Sequence, residues 1–320
     1  MAKTIDVIWS KGMSDKRVLI FGATGNVGGA TAREMLKRGW HVRAVTRNPQ
    51  SEKARELAAL GAEVVQGDMD DPVSLERVFD GFRRVLSVQN WQISGPEGEV
   101  RQGKHVADAA RSAGVEHLVF ASAGVGDDHS GVPHFDNKIV IEKYMQALGI
   151  PFTAVRPVPF MELMTEKEFF PPVGIWGIAP KILGWDAPFP WVAVRDIGIT
   201  NANIFENPED WIGRELILCG DAKTLGECRE IFRAVSGKKP FRIPLPQWLF
   251  RKMAGDELII MFEWMKHWIA DVGPQGLQHI RENSLAVCPD MLDVESWLKM
   301  KQNRGSASPQ ARVAPRKVST

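Results

Sequence analysis

The sequence predicts an α/β protein: a Rossmann-type, doubly wound parallel sheet with a smaller C-terminal α+β lobe. Three observations predict it. Short apolar runs alternate with helical stretches up to Arg156. A glycine-rich turn, Gly22-Ala23-Thr24-Gly25-Asn26-Val27-Gly28, separates the first run from the first helix. Beyond Arg156 the alternation yields to a segment crowded with proline and aromatic residues, Pro157–Pro190.

The elements follow in order. Arg17–Phe21 is an apolar run stopping at glycine, the pattern of a buried parallel strand. A helix is expected from about Gly28 to Arg38, ended by Gly39. His41–Thr46 reads as the second strand, Ser51–Leu60 as a helix closed by Gly61, and Glu63–Gln66 as the third strand. Pro72 opens a helix to Phe79, proline being favoured in a first turn. Arg84–Val88, a helix around Val100–Ser112 and a strand at Glu116–Ser122 continue the alternation. Such alternation means βαβ units, whose right-handed crossovers bring the loops after the strands to one edge, where ligands bind. Further on, Glu215–Leu218 reads as a returning strand and Thr224–Ser236 as a helix. Leu258–Ile269 is either a half-buried helix or a lid over an apolar substrate.

The expected organisation is a flexible N-terminus (1–15), a dinucleotide-binding domain (16–156), a substrate- or partner-side lobe (157–300) with some elements returning to the sheet, and a disordered basic tail (301–320). A net charge of +1 gives no basis for nucleic acid as main partner. Cys219, Cys228 and Cys288 form neither a disulfide framework nor a metal spacing, so a reduced, cytoplasmic protein is expected. No apolar run approaches the roughly 20 residues of a membrane span, and Met1–Asp15 makes a poor signal peptide. Asp127, Asp128 and His129 lack a second matched ligand group and read as a solvated loop, so no metal is expected.

The glycine turn carries the chemistry. Glycines let the backbone turn tightly and approach a pyrophosphate, and the helix behind them offers unpaired N–H groups and a partial positive charge. Its spacing is G-x-x-G-x-x-G, and all seven residues Gly22, Ala23, Thr24, Gly25, Asn26, Val27 and Gly28 are placed at the cofactor. An NAD site usually carries an acid at the end of the second strand. Here that strand ends Val45-Thr46-Arg47-Asn48, and Arg47 suits a ribose 2′-phosphate, so the expected cofactor is NADP(H). Asp68, with Met69 beside it, follows the third strand and either meets the adenine or caps the next helix.

Together with this turn, Val45-Thr46-Arg47-Asn48-Pro49, Gly61–Asp68, His134-Phe135-Asp136-Asn137-Lys138 and Gly149-Ile150-Pro151-Phe152-Thr153 resemble the NmrA-like group of atypical short-chain dehydrogenases, from about Arg17 to Asp196 and more loosely to Trp297. The resemblance implies an NADP-binding Rossmann domain in either an enzyme or a dinucleotide-binding regulator. It also implies that Gln89, Asn90 and Trp91 line the cofactor, that Arg101 reaches it, that Lys138 contacts the nicotinamide ribose, and that Phe160, Met161 and Glu162 flank the nicotinamide. Relatives often carry asparagine where this chain has Leu163.

Typical short-chain dehydrogenases use Tyr-x-x-x-Lys, the tyrosine passing a proton to the carbonyl oxygen. The single tyrosine, Tyr144, lies on the wrong side of Lys138, and His134 stands in the tyrosine's place. On a helix, residues four apart share a face. Ser122 ends the fifth strand, so Ser122, His134 and Lys138 are the candidate catalytic group. The alternative gives Lys138 to the cofactor alone and makes His134 a structural hydrogen-bonder. The functional expectation is an NADPH-dependent oxidoreductase acting on a small apolar acceptor. The alternative is an NADP(H)-sensing regulator of a protein partner such as a transcription factor, and the protein is expected as monomer or homodimer.

Overall fold

The computed structural model describes residues 16–124, 130–166, 174–242 and 246–306. The N-terminal segment 1–15, the loop holding Asp127, Asp128 and His129, and most of the expected tail lie outside the described residues.

Seven parallel strands form the main sheet: β1 (Arg17–Ile20), β2 (His41–Thr46), β3 (Glu63–Gln66), β4 (Arg84–Ser87), β5 (His117–Ala121), β6 (Phe152–Pro157) and β8 (Glu215–Leu218). Their order is β3-β2-β1-β4-β5-β6-β8. The sheet is doubly wound because successive side chains of a strand feed opposite faces. Val18 and Ile20 pack with Ala32 and Met35 of α1 (Asn26–Lys37) and with Ile197 and Ala202 of a later helix. Leu19 and Phe21 pack on the other face. There they meet α3 (Pro72–Phe79), α4 (Trp91–Ser112) and α5 (Pro133–Ala147), while α2 (Glu52–Ala59) supplies Leu57 to the first face.

The helix in the middle of the sequence begins earlier than periodicity suggests. Asn90 caps α4 through Gln92 N–H at 2.9 Å, and the helix kinks at Gly95 (φ 72°) and Pro96 before its apolar face begins. After β6 the chain leaves the sheet. It makes a short 3₁₀ turn (Met161–Met164), a π-turn (Gly174–Ile178) leading into α6 (Ala179–Ile182), and strand β7 (Pro188–Trp191). It then returns as α7 (Val194–Glu206), α8 (Pro208–Trp211) and β8. Helix α7 crosses α1 closely: a Cβ on Gly198 would lie 2.7 Å from the carbonyl carbon of Ala30, and Asn201 donates to Thr31 Oγ1 at 3.0 Å.

The lobe is completed by β9 (Asp221–Thr224), antiparallel to β7, and by α9 (Leu225–Ser236), α10 (Gln247–Ala254), α11 (Glu257–Val287) and α12 (Val294–Ser306). Thr224 and Glu227 form a reciprocal capping box at the start of α9. Trp176, Phe189, Trp191, Phe262 and Trp297 fill the lobe's own core. Leu258–Ile269 falls within α11, with Ile259, Phe262, Met265 and Ile269 buried and Glu263 and Lys266 exposed. The expected tail is corrected at its start. Residues 301–306 continue α12, and Lys301 contacts Thr165 Oγ1 at 3.1 Å and the Glu166 carboxylate.

Candidate functional site

The glycine turn lies after β1, between β2 and β4, where the strand order reverses and ligands of such sheets bind. Gly22 has φ +68°, a conformation that L side chains rarely adopt, and its carbonyl accepts Gly25 N–H at 2.9 Å. Gly28 serves packing: a Cβ there would lie 2.3 Å from Gly22 O, so α1 could not close on the turn. Gly25 is different. A Cβ would meet only Gly22 O, at 3.1 Å, with nothing else within 4 Å, so the missing side chain leaves open space before the helix. Gly25 caps α1 without a side-chain bond, leaving the first-turn N–H groups uncapped. Ala23 packs beneath the turn with Val27 beside it, whereas Thr24 and Asn26 have no side-chain hydrogen bond among the described residues.

At the end of β2, Arg47 is exposed and has no ion pair among the described residues. It lines a cavity of about 600 Å³ with Gln66, Gly67, Asp68 and Arg77. Asp68 accepts Asp70 N–H at 3.0 Å, and it is Asp71 that caps α3, through Val73 N–H, so the capping alternative for Asp68 does not hold. Met69 Sδ accepts from Gln89 Nε2 at 3.6 Å.

Behind β4, Gln89 is 5% exposed and donates to Ser87 Oγ at 2.9 Å. Its Oε1 is buried without a hydrogen-bond partner among the described residues, so a ligand donor would satisfy it. Lys138 lies beside it, 5% exposed, with Nζ 3.3 Å from Gln89 O and 3.0 Å from Glu99 Oε1. Trp91 stacks on the imidazole of His134 at 5.1 Å and 14°.

Several expected contacts are corrected. Ser122 does not join His134 and Lys138: its hydroxyl donates to Glu142 Oε1 at 2.5 Å, within a buried set that includes Arg156. Burial pushes the Glu142 carboxyl up, against the opposing pull of Arg156 and the Ser122 hydroxyl. His134 Nδ1 is 2.6 Å from Glu257 Oε1. Arg101 is held by Asp70, at 2.8 Å through Nε and 2.7 Å through Nη2. Asn90 spends its side-chain oxygen on capping α4. Met161 is fully buried in the lobe core, while Phe160 makes an isolated bridge with Val192. The Glu162 carboxylate is engaged within the fold: it accepts Val194 N–H at 3.2 Å and Trp297 Nε1 at 3.2 Å, fastening α7 to the lobe.

Glu162 and nearby Asp196 set a pH dependence. Burial pushes Glu162 up to about 7 against those hydrogen bonds, and pushes Asp196 up to about 6 against Leu292 N–H and Arg195. A carboxyl whose folded pKa is raised adds stability that is fully present below its ordinary pKa and lost as pH rises through the folded value. Glu162→Gln removes that loss, worth of order 3 kcal/mol for a shift of this size. The variant's melting temperature, followed by circular dichroism, should gain on the wild type's between pH 5 and pH 8. A constant gap across that range would refute the assignment.

Among the described residues no helix is long and apolar enough to cross a membrane, and no three His, Cys, Asp or Glu side chains cluster as a metal site. Residues 14–298 match the NmrA-like family. An NmrA-like family domain-containing oxidoreductase of Aspergillus flavus (lnaB) is 32% identical over 257 residues, 73% of this chain and 77% of that protein. Among solved structures, NmrA, a negative transcriptional regulator in complex with NADP, superposes with a TM-score of 0.70 at 20% identity, covering 92% of this chain and 98% of that one. The triphenylmethane reductase of Citrobacter sp. complexed with NADP(H) superposes at 0.68 with 21% identity, covering 88% and 99%.

Proposed function

The chain belongs to the NmrA-like family, and on that premise we propose that it is an NADPH-dependent oxidoreductase passing hydride to a small, largely apolar acceptor such as a quinone or enone. The observation that carries the reading is one sheet edge with an open glycine turn and Arg47 at one end, and Gln89, Trp91, His134 and Lys138 at the other. NADP(H) fits this edge by two features of the chain: the empty space before Gly25 and the orphaned Gln89 Oε1. The A. flavus relative is named an oxidoreductase, and both solved neighbours were crystallised with NADP or NADP(H).

When bound, NADPH supplies the hydride. The first-turn N–H groups of α1 would hold the pyrophosphate, Arg47 the 2′-phosphate, and Lys138, whose ammonium donates to Gln89 O and is ion-paired with Glu99, the nicotinamide ribose. Trp91 and Phe135, which pack on the His134 ring, would shield the reacting carbon from water. Calorimetry tests the cofactor choice. NADPH should bind more tightly than NADH, and Arg47→Ala should remove about 1.5–3 kcal/mol of the NADPH affinity, the worth of a hydrogen bond to a charged group, while leaving NADH unchanged. Equal affinities in the wild type would refute the reading.

Two observations favour the regulator. The proton-bearing Ser122 hydroxyl points to Glu142, and Tyr144 is bonded to Asp108. Neither group delivers a proton to the edge. Steady NADPH oxidation with a panel of quinones and enones separates the two readings. Dinucleotide binding without turnover, together with a partner that responds to it, would leave the regulator.

A further inference from the structure

We propose that Glu257, contributed by the C-terminal lobe, is the positioning residue that orients His134 to hand a proton to the acceptor, so that the proton donor is assembled only where lobe and sheet meet. The inference rests on the oxidoreductase reading and adds to it a residue that neither the spacing of motifs nor the family resemblance points to.

His134 stands in the first turn of α5, and Glu257 in the first turn of α11, 123 residues later. Their side chains are 12% and 20% exposed, and Nδ1 to Oε1 is 2.6 Å, so this is no solvated surface pair. Neither group has another hydrogen-bond partner among the described residues. The hydrogen bond made by one ring nitrogen decides what the other can do. With Nδ1–H given to the carboxylate, Nε2 is the atom left for chemistry.

The ring plane is fixed as well. Trp91 stacks on one face at 5.1 Å, and Phe135 meets the ring edge-on at 4.5 Å and 67°. Phe135 in turn packs edge-to-face on Trp264 of α11, which stacks on Trp268 at 6.2 Å and 7°. The aromatic row thus runs from the β4 loop to the helix that carries Glu257. One turn further along α5, Lys138 touches the same β4 loop at Gln89 O. Trp91 and Lys138 therefore bring the imidazole to the loop where hydride transfer is proposed.

The step balances. A hydride, with its electron pair, leaves NADPH and forms a C–H bond on the acceptor, whose oxygen or α-carbon becomes anionic. The Nε2–H bond of the imidazolium breaks and its proton joins that anion. Solvent reprotonates Nε2, while Glu257 remains a carboxylate throughout. The sum is NADPH, one proton and acceptor going to NADP⁺ and reduced acceptor.

The test uses the full chain. In ¹⁵N-histidine-labelled protein, with His134→Phe to assign the signal, long-range ¹H–¹⁵N correlation should place the neutral ring's proton of His134 on Nδ1. In Glu257→Leu it should shift to Nε2 in a measurable share of molecules, and Glu257→Asp should restore Nδ1. With 2-cyclohexenone, whose reduction leaves a strongly basic enolate, Glu257→Leu should lower kcat about 10–100-fold, toward the range of a lost general acid, and enlarge the D₂O solvent isotope effect. The NADPH KM should stay within about twofold, for a residue that touches no cofactor. With menadione, whose hydroquinone anion is far less basic, the loss should be at least about tenfold smaller. Equal losses on both acceptors, or an Nδ1–H tautomer that survives Glu257→Leu, overturn the inference. If the wild type reduces neither acceptor, the oxidoreductase reading falls and takes the proton role with it. The tautomer then still reports whether Glu257 holds the ring.

Discussion

Lys138→Ala is expected to lower the unfolding free energy by about 3–5 kcal/mol, the cost of leaving one member of a buried ion pair without its partner. The Glu99 side chain is fully buried, and removing the ammonium 3.0 Å from it leaves only the Asn137 amide, at 3.3 Å, to hold the carboxylate. The stack of Lys138 Nζ over the Phe120 ring, 5.3 Å from its centroid, is lost too. Urea denaturation measures the effect. The control is Lys138→Met with Glu99→Gln, which removes both charges at similar volume and should recover most of the stability. Under the proposed function, that double variant stays stable while NADPH binding weakens, since the proton given to the ribose is gone. A double variant as unstable as Lys138→Ala would show that packing, and not the stranded charge, is responsible.

The second large effect concerns ligand affinity. Gly25→Val should leave the melting temperature within a few degrees of wild type, because Gly25 has φ −86° and ψ −174°, an extended conformation that valine adopts readily. Only Gly22 O, at 3.1 Å, crowds the added Cβ. The valine methyls would then fill the open space before the first turn of α1. If two charge-assisted hydrogen bonds to the pyrophosphate are lost, at about 1.5–3 kcal/mol each, NADPH affinity falls roughly 100-fold or more. Calorimetry with undiminished NADPH binding would mean that the dinucleotide does not lie on this turn. Gly28→Val makes the contrast: its Cβ would collide with backbone at 2.3 Å, so it should damage the fold itself.

Strands β1, β4 and β5 were legible as short apolar runs whose burial on both faces makes the pattern nearly continuous, whereas β2 and β3, towards the sheet edge and only partly buried, were legible as β-branched pairs bounded by turn residues. The glycine turn was legible for the same local reason. Helix α11 was read only in part. Gly273 and Pro274 interrupt it with a φ of 65°, and the apolar periodicity that marks its first half does not extend through the break. Strand β7 was missed because Pro188 and Pro190 argue against a strand, yet it belongs to a two-stranded sheet where such residues are tolerated. The site followed the same division. Arg47 and Lys138 sit where their local elements put them. The partners of Ser122, His134, Arg101 and Glu162 are chosen by tertiary packing, and nothing near those residues in sequence names Glu142, Glu257, Asp70 or Trp297.

The path of the chain through β6, out to the lobe and back to β8 bears on how the molecule can be divided. Residues 16–156 hold the whole glycine turn, five complete strands of the seven-stranded sheet and all but the last residue of β6. Cut there, β6 would present a bare ladder of N–H and C=O groups, since its outer neighbour β8 pairs with it from Ala154↔Glu215 to Pro157↔Leu218. The same cut strips α7 from α1, uncovering the helix that backs the phosphate turn. The dinucleotide half is therefore not a detachable module. Its outer edge and one of its faces are finished by residues that arrive only after the excursion, while the rest of the lobe follows β8, so lobe and sheet interleave along the chain.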